Sequence, residues 1–88
     1  MYNFTEWVEE TNPGYLKNHY RRLLNKSGFT VLKTTDKHFV PFGYTLLFLL
    51  GESHLAIHTF PEENKSYIEL TSCVLEPFNK FKELNNKK

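Results

Sequence analysis

An 88-residue chain has room for one domain, and a lone domain of that size buries only about 60% of the surface its unfolded form exposes. Eleven Lys plus Arg against ten Asp plus Glu leave a formal charge of +1, which argues against a dedicated nucleic-acid or membrane-surface binder, whose affinity would rest on clustered basic charge. The longest apolar run, Tyr44 to Leu50, falls far short of the roughly 20 residues of a membrane span, and Met1–Glu10 has neither the basic start nor the apolar centre of a signal peptide. A single cysteine, Cys73, cannot close an internal disulfide, so a free thiol and a cytoplasmic location are expected. Eight Phe, five Tyr and one Trp are many for this length, and some should face a ligand or partner rather than the core.

In chain order, Met1–Glu10 alternates Tyr2, Phe4 and Glu6 with Asn3, Thr5 and Trp7, as a strand would, although one helical turn is an open alternative. Asn12-Pro13-Gly14 reads as a helix start, with Asn12 as cap and Pro13 at the first helical position. Leu16, Tyr20, Leu23 and Leu24 form the apolar stripe of that helix. Lys17, Arg21, Arg22 and Lys26 take its solvated face, and Gly28 suits the left-handed stop. A strand is expected over Phe29–Thr35, then a connection over Asp36–Gly43 holding Pro41. The apolar run Tyr44–Leu50 predicts a strand covered on both faces. Gly51-Glu52 breaks the chain before a strand over Ser53–Phe60, and Pro61–Ser66 is turn-like. Tyr67–Val74 alternates as a half-buried strand; Pro77 starts a last helix carrying Phe78, Phe81 and Leu84 on one side, and Asn85–Lys88 reads as a frayed tail. This order predicts an α+β two-layer sandwich, an antiparallel sheet with helices on one face, in a single domain over 1–88.

Reactive side chains concentrate at Glu52, Ser53, His54, His58 and Glu62, with Cys73 further on. His54 and His58 share a strand face but lie roughly 13 Å apart, at about 3.3 Å per residue, too far to hold one ion, so no metal is expected. Ser53 lacks the context of a GxSxG elbow, and no orienting acid accompanies it. Taken alone, Ser53 and the histidines could simply decorate a strand end, and Cys73 could be a small half-buried hydrophobe.

The stretch Gly51-Glu52-Ser53-His54-Leu55-Ala56-Ile57-His58-Thr59-Phe60-Pro61-Glu62 resembles the self-processing segment of the prokaryotic S-adenosylmethionine decarboxylases. Their pattern is Glu-Ser-His-Leu-x-Ile-His-Thr followed by an aromatic residue, Pro and Glu. The likeness continues upstream through His38–Thr45 and downstream through Tyr67–Cys73, without a gap from about Gly28 to Cys73. It departs in having Glu69 for the family's Asp, Val74 for its Gly, Thr45 for its Ser, and shorter first and last segments.

The resemblance implies a proenzyme that cuts itself between Glu52 and Ser53 into a β chain, 1–52, and an α chain, 53–88, converting Ser53 into a pyruvoyl group. It implies His58 as the processing base, Thr45 as support for the cyclic intermediate, and Cys73 as proton donor. Phe39 is implied to stack on adenine and Glu62 to accept from ribose hydroxyls. The pyruvoyl cofactor would form a Schiff base with the amine of a small amino-acid-type substrate and act as electron sink for loss of carbon dioxide. Phe39 and Glu62 favour S-adenosylmethionine, for spermidine and other polyamine synthesis. Arginine or ornithine is the alternative substrate, and a non-catalytic, partner-binding relative is a further alternative. A homodimer is implied, with no nucleic-acid or membrane partner.

Overall fold

A computed structural model describes residues 1–87. Five strands and two helices follow in the order β1 (Tyr2–Val8), α1 (Pro13–Ser27), β2 (Val31–His38), β3 (Tyr44–Leu50), β4 (Ser53–Phe60), β5 (Lys65–Ser72) and α2 (Leu75–Asn85), with a 3₁₀ turn at Pro61–Glu63. The strands form one antiparallel sheet in the order β1-β5-β4-β3-β2. Alternate residues Leu46, Phe48 and Leu50 of β3, Leu55 and Ile57 of β4, and Ile68 and Leu70 of β5 are buried. They form one core with Leu16, Tyr20 and Leu24 of α1 and Phe78 and Phe81 of α2. The architecture is the expected two-layer α+β sandwich, and the first segment is a strand.

Helix α1 begins and ends as its caps require. The Asn12 side chain accepts the Tyr15 N–H at 2.8 Å. At the other end Gly28 takes φ 102°, its N–H reaching the Asn25 carbonyl while the Phe29 N–H reaches that of Leu24. That pair of bonds is a Schellman stop, and it explains a displaced boundary: Phe29 is 6% exposed because it closes the stop against Leu24, and the strand starts only at Val31. A Cβ at residue 28 would meet only Pro77 Cβ, at an ordinary 3.8 Å. Gly28→Ala is therefore expected to destabilise through the backbone alone, by about 1–2 kcal/mol. A urea titration would show it as a lowered midpoint with unchanged slope.

Five further features differ from expectation. In β2 the register slips between Val31 and Lys33. Beyond this bulge Thr34 and Asp36 face the helical layer opposite Phe48 and Leu46, and the strand runs on to His38. There Arg21 Nη2 donates to Thr34 Oγ1 and Lys17 pairs with Asp36, so half of α1's basic face is tied to the sheet edge. The Tyr44 hydroxyl donates to Asp36 at 2.6 Å and, aided by Lys17, holds that carboxyl below the usual range, against the opposing effect of desolvation. Next, β3 is covered on one face only, because both helices lie on the same side: Leu47 and Leu49 remain 37% and 47% exposed. Third, β5 ends at Ser72, leaving Cys73 outside the strand and exposed rather than half-buried. Helix α2 then starts at Leu75, two residues before Pro77, which is tolerated because N–H groups of a first turn have no intrahelical partner. Finally, Asn85 is no frayed tail: it is 3% exposed and donates to Glu6 at 2.7 Å. Lys88, expected in the same tail, lies outside the described residues.

Candidate active site

The residues singled out in the sequence fall into two groups at opposite ends of β4. The first is the β3–β4 hairpin. Leu50 pairs with Ser53, so Gly51 and Glu52 make the turn, and the left-handed residue is Glu52, with φ 56°. A side chain in that region costs about 1–2 kcal/mol, strain carried by the residue on the N-terminal side of the Glu52–Ser53 peptide. The Glu52 carbonyl accepts the Cys73 N–H at 3.2 Å, because β4 and β5 pair Ser53 with Ser72. The Ser53 side chain points into the helical layer, is 7% exposed, and donates to Ser72 Oγ at 2.7 Å. The Cys73 thiol lies at the surface, 3.0 Å from the Met1 thioether.

The second group sits where β4 runs out. Thr45 and His58 are cross-strand partners, with Thr45 Oγ1 3.0 Å from His58 Nδ1. Both lie on the sheet face that carries no helix. Phe39, Thr45, His58, Phe60 and Glu62 line a pocket of about 350 Å³. Phe39 is held there by its N–H bond to the Gly43 carbonyl, at the close of a loop in which Gly43 takes φ 113°. Glu62 reaches the same pocket from the 3₁₀ turn that Pro61 begins. Thr59 also lines it, with a buried hydroxyl that has no hydrogen-bond partner among the described residues.

The structure therefore brings Thr45, His58, Phe39 and Glu62 together, and separately brings Glu52, Ser53 and Cys73 together. It does not join the two groups within one chain. Five residues of strand separate Ser53 from His58, about 17 Å at 3.3 Å per residue, and the odd spacing puts their side chains on opposite faces. Sequence reasoning passed over Ser72 and Thr59. Strand parity places Ser72 with Ile68 and Leu70, and Thr59 with Leu55 and Ile57, on the inner face. Among the described residues no cluster of three or more His, Cys, Asp or Glu could hold a metal ion, and no helix is long and apolar enough to cross a membrane.

A family model described as S-adenosylmethionine decarboxylase matches residues 5–86. An S-adenosylmethionine decarboxylase proenzyme 2 of Bacillus cereus is 44% identical over 59 residues, 67% of this chain and 48% of the relative. An S-adenosylmethionine decarboxylase proenzyme of Thermotoga petrophila is 31% identical over 75 residues, 83% of this chain and 58% of the relative. The chain thus spans about half the length of the curated relatives it matches. The crystal structure of the adenosylmethionine decarboxylase from Aquifex aeolicus superposes with a TM-score of 0.56 at 24% identity, covering 76% of this chain and 59% of that one. That likeness concerns the fold.

Proposed function

The chain belongs to the S-adenosylmethionine decarboxylase family, and from that premise we propose that it is a proenzyme that cuts itself at Glu52–Ser53 and then decarboxylates S-adenosylmethionine, for polyamine synthesis in the cytoplasm. One observation carries the reading: the Glu52–Ser53 peptide lies in a strained hairpin, with its carbonyl already on the Cys73 N–H and its serine hydroxyl already hydrogen-bonded.

In the first step the Ser53 Oγ–carbon bond forms at the Glu52 carbonyl and the peptide C–N bond breaks, the hydroxyl proton ending on the released amine. The Cys73 N–H stabilises charge developing on the carbonyl oxygen. Loss of the Ser53 α-proton to a base expels Glu52 as a carboxylate. Water then replaces the amino nitrogen, which leaves as ammonia, and residue 53 carries a pyruvoyl group. That group supplies a ketone electron sink for loss of carbon dioxide. Cys73, one residue beyond the strand partner of Ser53, is assigned to return a proton to the substrate α-carbon. His58 is assigned as the processing base, its Nδ1 steadied by Thr45 so that proton transfer falls to Nε2. The pocket walls Phe39 and Glu62 suit the face of a purine and the hydroxyls of a ribose.

His58 cannot serve Ser53 of its own chain, and this supports a homodimer in which the hairpin of one copy meets the His58 end of the other. The helix-free sheet face supports the same arrangement, since Trp7, Leu47 and Leu49 stand 53%, 37% and 47% exposed on it. A second copy packed there would also supplement a small core.

Carbon dioxide release measured in parallel from S-adenosylmethionine, ornithine and arginine tests the assignment. Release is expected from the first alone and should vanish on reduction with cyanoborohydride in the presence of substrate. Release from either of the others in its place overturns the substrate, and none from any of the three overturns the activity.

A further inference from the structure

Ser72 is the residue that the reactive Ser53 hydroxyl touches. It is fully buried, at 0% exposure, at the inner end of β5. Its Oγ donates to the Val74 carbonyl at 3.1 Å, accepts the Val74 N–H at 2.9 Å, and accepts from Ser53 Oγ at 2.7 Å. A serine hydroxyl has one proton to give and two lone pairs to receive, so all three capacities of Ser72 are used. The direction of each bond is then fixed. Ser72 has no proton left for Ser53, and Ser53 must be the donor. The two bonds to Val74 lock the Ser72 rotamer to the backbone that leads into α2, so the point on which Ser53 hangs does not swing.

We propose that Ser72 is a positioning residue for self-cleavage: it fixes the rotamer of Ser53 and aims the Ser53 proton away from the oxygen lone pair that attacks the Glu52 carbonyl. The proposal rests on the self-processing reading. It adds a second tether from the segment after β5. The Cys73 N–H holds the carbonyl and Ser72 holds the hydroxyl, so adjacent residues of one segment set the distance between nucleophile and electrophile. In the step itself Ser72 gains and loses no proton. The Ser53 Oγ–C bond forms, the C–N bond breaks, and the Ser53 proton passes to the freed amine.

The same three bonds also brace the β5–α2 bend, so the test must separate aim from architecture. Threonine and valine have the same shape and differ only in the hydroxyl, so any packing cost of the added bulk falls on both. Ser72→Thr and Ser72→Val are compared with wild type by intact-mass time course of the 52/53 cut, with hydroxylamine present to trap the ester, and by circular dichroism and Tm. Ser72→Thr is expected to keep cleaving within about fivefold of wild type. Ser72→Val should cleave roughly 100-fold more slowly and accumulate no hydroxylamine-sensitive ester, at equal helicity. Equal cleavage rates in the two folded variants overturn the proposal, as does ester accumulating in Ser72→Val, which would put the defect after the attack. If Ser72→Val does not fold, Ser72→Ala is read by the same rate and ester criteria. A wild-type chain that never cuts itself would instead remove the reading on which the proposal stands.

Discussion

Ser53→Ala is expected to leave one uncut species of 88 residues where the unaltered chain separates into pieces of 52 and 36 residues. The effect should be all-or-none, because the methyl group offers no atom to attack the Glu52 carbonyl and the neighbouring Ser72 hydroxyl is held by its two bonds to Val74. Folding should survive. The substitution deletes one buried hydrogen bond, to Ser72, at a cost of about 1 kcal/mol, while Ser72 keeps both bonds to Val74. The strand pair Ser53–Leu50 and the turn at Glu52 depend on backbone rather than on the hydroxyl. Intact-mass analysis after purification decides the matter. Any cut at 52/53 in the alanine variant, or an unaltered chain that stays whole under the same conditions, defeats the self-processing reading.

The second large effect concerns where His58 acts. His58→Ala alone should slow self-cleavage by roughly 100- to 10,000-fold, the range expected for loss of a positioned proton-transfer group. Mixing is the more telling experiment. A His58→Ala chain keeps Ser53 but lacks the base, and a Ser53→Ala chain keeps the base but cannot be cut. If the hairpin of one copy meets the His58 end of the other, refolding the two together restores cleavage of the His58→Ala chain only, which isotope labelling of that chain would reveal by mass. The geometry requires this outcome for any mechanism that uses His58 on Ser53, since about 17 Å of strand and a change of face separate them within one copy. Failure of the mixture to cut, with both variants folded, would mean that His58 is not that base.

Much of this could be read from residues and their near neighbours. The Asn12 cap, the Gly28 stop, the hairpin at Gly51-Glu52 and the apolar stripe of α1 are local, set by contacts within a few positions along the chain. The sequence marks Phe39, Thr45, His58 and Glu62, and their meeting in one pocket follows from a hairpin in which Thr45 pairs with His58. Boundaries failed where a local pattern was overridden. Phe29 looked like strand and was claimed by the helix stop. The bulge at Leu32 sets which residues of β2 face inward, and no periodicity announces an extra residue in a strand.

What the sequence by itself determined is the chemistry on offer: a Glu-Ser bond in a turn, a histidine five residues on, a cysteine twenty residues on, and the sheet-and-helix composition that holds them. Tertiary structure alone decided who meets whom. Ser72 comes under Ser53, and the Cys73 N–H under the Glu52 carbonyl, because the β4–β5 register aligns residues 19 or more positions apart. A shift of one residue would turn every one of these side chains to the other face. The bare face bearing Trp7, Leu47 and Leu49 exists because both helices pack on the same side of the sheet, which is a property of how the chain closes rather than of any one segment.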